Sequence, residues 1–154
     1  MGIQTYVNGK LCPKEEAYVS AYDHGFLYGD GVFEGIRIYN GRIFKFEEHI
    51  DRFFDSLKVC MIDIGMDRQT LMDEIVKVCQ VNEHYDRAYI RLVASRGEGD
   101  LGINPRKCTK GATLVIITDI LQLYPEKAYQ DGLEVIICQT RKIRHDMLLS
   151  LIHI

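Results

Sequence analysis

The chain has 154 residues, 47% of them hydrophobic, with 19 basic and 22 acidic side chains and a formal net charge of −3. That length supplies one core of ordinary domain size, and that charge gives no positive field to draw nucleic acid or anionic lipid. No apolar run approaches the ~20 residues that cross a bilayer, Met1 to Tyr6 shows neither a signal-peptide nor a myristoylation pattern, and the five cysteines form no C-x-x-C pair, so the expectation is a cytoplasmic protein with reduced thiols.

Ile3 to Val7 is a strand candidate, and Asn8-Gly9 is a hairpin signal because both residues tolerate the positive φ of a type I′ turn. The chain is expected to fold back through Lys10 and Leu11. Val32 to Tyr39 alternates, Asn40-Gly41 repeats the turn signal, and Arg42 to Phe46 returns as the second arm of a hairpin. From Glu47 to Met61 the period changes, and Ile50, Phe53, Phe54, Leu57 and Met61 fall on one face of a helix. Asp67 can cap a second helix running to about Glu83, with Leu71, Met72, Ile75, Val76 and Cys79 as its buried stripe. Cys60 and Cys79 read as core thiols. Arg87 to Ala94 returns to strand, with Tyr89, Arg91 and Val93 on one face and Ile90, Leu92 and Ala94 on the other. Gly97 to Gly111 reads as a loop. Ala112 to Ile120 and Leu133 to Gln139 read as buried strands on either side of a short helical or turn segment near Pro125 to Gln130. Hairpins with an inserted pair of helices describe an α+β domain whose sheet is largely antiparallel.

Gly97-Glu98-Gly99-Asp100-Leu101-Gly102 matches the dinucleotide-binding pattern G-x-G-x-x-G, but its context does not. A pyrophosphate site needs a helix start, whereas this segment carries two acids and continues into Asn104-Pro105. None of the five histidines has metal-ligand spacing or a nucleophile arrangement.

Tyr22 to Arg37 is the informative segment, since its glycines let the backbone turn and approach other groups closely. Its run D-H-G-F-L-Y-G-D-G-V-F-E-G-I-R, followed by Y-N-G and E-E-H-I-D-R-F, resembles the opening of class IV aminotransferases of the branched-chain type. The resemblance covers about Gln4 to Met147. It implies the N-terminal domain of the D-amino-acid aminotransferase-like fold, which uses pyridoxal 5′-phosphate (PLP), over residues 1–147.

Residue roles follow from that resemblance. Arg52 matches the arginine that holds the PLP phosphate, a role suited to a planar fork whose charge never titrates away. On spacing alone it reads rather as a surface residue pairing with Glu48 or Asp55. The resemblance therefore implies that Arg52→Ala weakens cofactor retention far more than folding. Phe33 and Gly35 match positions lining the substrate pocket, and Arg37 shares their strand face. Tyr89 and Arg91 match a tyrosine and an arginine used for substrate carboxylates; on spacing alone a cross-strand tyrosine over an exposed arginine is equally expected. Tyr28 matches a residue given to the neighbouring subunit's pocket. Leu101 and Ile103 match a loop that closes over that pocket, so the expected assembly is a dimer or larger.

Transamination also needs a lysine for the cofactor's Schiff base, and no lysine of this chain stands at the matching place. Lys142 lies in the matching stretch upstream of it. Leu148 to Ile154 is read as an aberrant or truncated tail, with the C-terminal PLP-binding domain absent and the chain inactive as given. The implied parent reaction moves nitrogen from leucine, isoleucine or valine to 2-oxoglutarate. The alternatives are a D-amino-acid aminotransferase, an aminodeoxychorismate lyase, or a non-catalytic dimerising fragment.

Overall fold

A computed structural model describes residues Gly2 to Gln139. Its strands β1 (Gln4–Val7), β2 (Lys10–Pro13), β3 (Gly31–Tyr39), β4 (Arg42–Ile43), β5 (Ala88–Ser95) and β6 (Thr113–Ile120) form one six-stranded sheet in the order β2-β1-β6-β5-β3-β4. Every pairing in it is antiparallel. Helices α1 (His24–Tyr28), α2 (Phe46–Cys60), α3 (Arg68–Val81) and α4 (Glu126–Asp131) complete the α+β architecture expected from the sequence.

Local chemistry explains most boundaries. Asn8-Gly9 and Asn40-Gly41 take φ values of 47° and 88°, and of 50° and 75°, the left-handed pair that a two-residue hairpin requires. The Asp67 carboxylate accepts from the Thr70 amide and caps α3; that bond holds the carboxyl below its ordinary range. The return arm of the second hairpin is shorter than expected, only Arg42–Ile43. Lys45 adopts φ 50° and ψ 43°, which ends the strand and starts α2 at Phe46.

Helices α2 and α3 cover one face of the sheet. Ile36, Ile90, Leu92 and Ile116 meet Phe53, Leu71, Ile75 and Val78 there, all 0% exposed. Burying each such side chain stabilises the fold by about 1.5–3 kcal/mol relative to exposure. Cys79 belongs to this core, and burial pushes its thiol up to about 11. Cys60 is only half-buried. Met61, expected on the buried helix face, is 80% exposed because the chain leaves α2 there through a left-handed residue at φ 53°. Helix α3 ends at Val81 because Asn82 is used elsewhere. Its side chain accepts from the Gln4 amide and donates to the Gln4 carbonyl and Thr118 Oγ1, pinning the helix end to β1 and β6.

Leu133 to Gln139 is a correction. The segment forms no strand, and Val135, Ile136 and Ile137 are 81, 88 and 98% exposed. β-branched composition promotes a strand only against a partner, and none of the described strands pairs with this segment. Thr140 onward, including Lys142 and the tail from Leu148, lies outside the described residues. Among the described helices, none is long and apolar enough to cross a membrane.

Candidate functional site

Strand alternation turns Phe33, Gly35 and Arg37 of β3 to the sheet face opposite α2 and α3. The β3–β5 register then sets Arg91 beside Gly35 and Tyr89 beside Arg37. The Tyr89 ring leans over Gly35, where a Cβ would stand 2.5 Å from its hydroxyl, so glycine is needed for this approach. The Arg91 guanidinium lies 3.6 Å from the centroid of the Phe33 ring and donates from Nη1 to the Tyr89 hydroxyl at 3.3 Å. Phe33, Arg91 and Tyr89 therefore form one stack over a bare glycine, with the cation held against a π face. Arg37 shares the face but is drawn aside: its Nη1 donates to the Leu121 carbonyl at 3.0 Å. A cavity of about 380 Å³ opens beside Phe33, walled largely by apolar side chains including Phe26, Val32, Val93 and Val115.

Arg52 lies on the other side of β3. Glu34, in phase with Val32, Ile36 and Ile38, points toward the helices and is 1% exposed. Both its oxygens accept from Arg52, Oε1 from Nε and Oε2 from Nη2, each at 2.6 Å, and Oε2 also accepts from His49 Nδ1 at 2.9 Å. Neither surface partner expected from spacing is used. Glu48 accepts from Lys45 instead. The bonds to Glu34 push the guanidinium further above its ordinary value.

This geometry fits a phosphate-holding role in a particular way. Two guanidinium nitrogens are committed to Glu34, while Nη1 has no hydrogen-bond partner among the described residues and the side chain is 36% exposed. One charged amino group, oriented from behind by a buried carboxylate, remains to hold a phosphate. Among the described strands only β4 pairs with that β3 edge, at Ile38 and Tyr39.

A third group gathers around α1, which lies within the glycine-rich segment Tyr22 to Arg37. Asp23, 1% exposed, caps the helix by accepting from the Gly25 amide at 2.7 Å, and it also accepts from Ser95 Oγ at 2.8 Å and Thr113 Oγ1 at 2.7 Å. Gly29 ends the helix at φ 69°. The hydroxyl of Tyr28 accepts from the Gly102 amide at 2.8 Å, so Tyr28 meets the loop carrying Leu101 and Ile103, which are 63 and 81% exposed. Sequence reasoning did not assign Asp23, Glu34 or His49. For Glu34 a signal existed: a carboxylate at a buried phase of an otherwise apolar strand needs a cation nearby.

The model of the family described as amino-transferase class IV matches residues 31–153. A putative branched-chain-amino-acid aminotransferase of Methanocaldococcus jannaschii is 44% identical over 146 residues, covering 95% of this chain and 49% of its own. An aminodeoxychorismate lyase of Bacillus subtilis is 35% identical over 122 residues, 79% of this chain and 41% of its own. Among solved structures, the branched-chain amino acid aminotransferase of Escherichia coli superposes with a TM-score of 0.74 at 28% identity, over 83% of this chain and 43% of that one. The chain thus spans about half the length of these relatives or less. The family match over residues 31–153 and the 44% identity to the Methanocaldococcus jannaschii relative show that the chain belongs to the amino-transferase class IV family.

Proposed function

We propose that residues 1–147 form the N-terminal domain of a PLP-dependent branched-chain amino-acid aminotransferase. The observation that carries this reading is the stack of Arg91 on Phe33 over Gly35, beside an apolar cavity of about 380 Å³. An aliphatic side chain asks a pocket only for apolar contact, while the side-chain carboxylate of glutamate needs a cation to offset its desolvation. One face offers both. Bound PLP would supply the electron sink for the reaction. Arg52 would hold its phosphate through Nη1, with Glu34 and His49 fixing the guanidinium's orientation. The substrates would be L-amino acids and 2-oxo acids, and the assembly a dimer or larger, with Tyr28, Leu101 and Ile103 given to the second copy. A lyase of the same class is the second reading, supported by the Bacillus subtilis relative.

The test has two arms. The chain alone, incubated with PLP, is expected to retain none through gel filtration and to transaminate no leucine. Residues 2–147 joined to the C-terminal half of the Methanocaldococcus jannaschii relative should pass nitrogen from L-leucine to 2-oxoglutarate. A joined protein preferring D-alanine, or releasing pyruvate from aminodeoxychorismate, would overturn the branched-chain reading. In that protein Arg91→Leu should slow the L-glutamate half-reaction by about 10- to 100-fold and the L-leucine half-reaction much less, the loss expected for one charged hydrogen bond. Equal losses in single-turnover measurements would reassign Arg91 to the α-carboxylate common to both substrates.

A further inference from the structure

Neither the buried His24 nor the Gly97-Glu98-Gly99-Asp100-Leu101-Gly102 motif lines the cavity beside Phe33. Against each other they form a second constellation. His24 is 1% exposed, and its Nε2 lies 2.9 Å from the Asp100 carbonyl. A carbonyl only accepts, so Nε2 carries the proton and Nδ1 is left as a bare acceptor. That Nδ1 is buried and meets no hydrogen-bond partner among the described residues. The imidazole therefore gives up one buried polar atom in order to hold one loop carbonyl, which is an uncommon arrangement for a side chain serving only as packing.

The neighbouring contacts hold the same segment. His24's amide donates to the Gly97 carbonyl at 2.9 Å, and the Gly99 amide donates to the Tyr22 carbonyl at 3.2 Å. The Tyr28 ring meets the His24 ring edge-on at 5.0 Å, and its hydroxyl accepts from the Gly102 amide. Lys107 Nζ donates to the Leu101 carbonyl at 3.0 Å. Asp100 and Gly102, on either side of Leu101, are thus both fastened to α1. The glycines are what allow it. A Cβ on Gly97 would run into the Gly111 carbonyl oxygen, and one on Gly99 would stand 3.0 Å from His24 Nε2 and 2.8 Å from Cys108 Sγ.

We propose that His24 is a positioning residue: through the Asp100 carbonyl it fixes the Leu101 to Ile103 segment on α1, so that these two apolar side chains reach a second copy of the chain at one set place. The inference rests on the reading of Leu101 and Ile103 as partner-facing residues. It gives the G-x-G-x-x-G motif a role in close loop docking rather than phosphate binding.

Nitrogen-15 chemical shifts and two-bond proton–nitrogen correlations of the labelled chain would report the His24 tautomer directly. The expected result is the Nε2–H form. An Nδ1–H form would overturn the proposal without any substitution that could harm folding. Gln places an amide nitrogen near the position of Nε2, whereas Leu offers no donor. In H24L the amides of Gly99 and Gly102, which donate to the Tyr22 carbonyl and the Tyr28 hydroxyl, should exchange with water about ten-fold faster, while H24Q should restore the parent rate and β3 and β5 should be unaffected in both. Unchanged loop exchange in H24L, or no rescue by H24Q, would overturn the assignment. Sedimentation of the same samples separates the underlying reading: a slowly exchanging loop on a chain that stays monomeric would sink the partner-facing part alone.

Discussion

Arg52→Ala is expected to lower the unfolding free energy of the chain by about 3 kcal/mol, far more than the ~0.3–0.5 kcal/mol of an exposed helix pair. The reason lies in its partner. Glu34 is 1% exposed, and removing Arg52 takes one donor from each of its oxygens, leaving His49 on Oε2 as its side-chain partner among the described residues. An uncompensated buried carboxylate costs about 3–5 kcal/mol, and the lower end applies because water already reaches the guanidinium, which is 36% exposed. Glu34→Leu combined with Arg52→Leu should recover most of the loss, since apolar replacement of a buried pair is often neutral. Urea denaturation with an unchanged slope would measure both. A single-variant loss below about 1 kcal/mol would return Arg52 to the class of surface pairs. The same substitution therefore strikes the fold as well, so cofactor retention by the joined protein has to be compared at equal folded fraction.

Asp23→Ala should cost about 3–4 kcal/mol, because one carboxylate serves three donors from three parts of the chain. It caps α1 at the Gly25 amide and holds the hydroxyls of Ser95 on β5 and Thr113 on β6. Hydrogen bonds to a charged group are worth about 1.5–3 kcal/mol each and are not additive here, since all three share one anion. Asp23→Asn keeps an acceptor for the cap but sets an amide group against two hydroxyls, so it should lose roughly half as much. The folded fraction of the alanine variant should also show faster exchange at Gly102, because α1 carries the Tyr28 hydroxyl that holds that amide. Stability within about 1 kcal/mol of the parent would show that β5, β6 and α1 are joined by packing alone.

Much of this protein is written locally in its sequence. Asn8-Gly9 and Asn40-Gly41 dictate their hairpins because few other residues accept two successive positive φ angles, and both turns form. The period of Ile50, Phe53 and Leu57 marks the buried face of α2, Asp67 marks the start of α3, and alternation in β5 separates Ile90 and Leu92 from Tyr89 and Arg91. The shared face of Phe33, Gly35 and Arg37 follows from the same alternation.

Tertiary structure decided what no local period encodes. Arg52 could have paired with Glu48 or Asp55 on its own helix, yet it crosses to Glu34, 18 residues away on a strand. Asp23 has no assigned role in the sequence, and its bond to Thr113, 90 residues on, makes it the tie between α1 and the sheet. Leu133 to Gln139 has strand composition but stands exposed, since a strand forms only where another edge receives it. Turn chemistry and burial period act over a few residues and are therefore legible in sequence, whereas the partner of a buried charge is fixed only once strands and helices have closed around it.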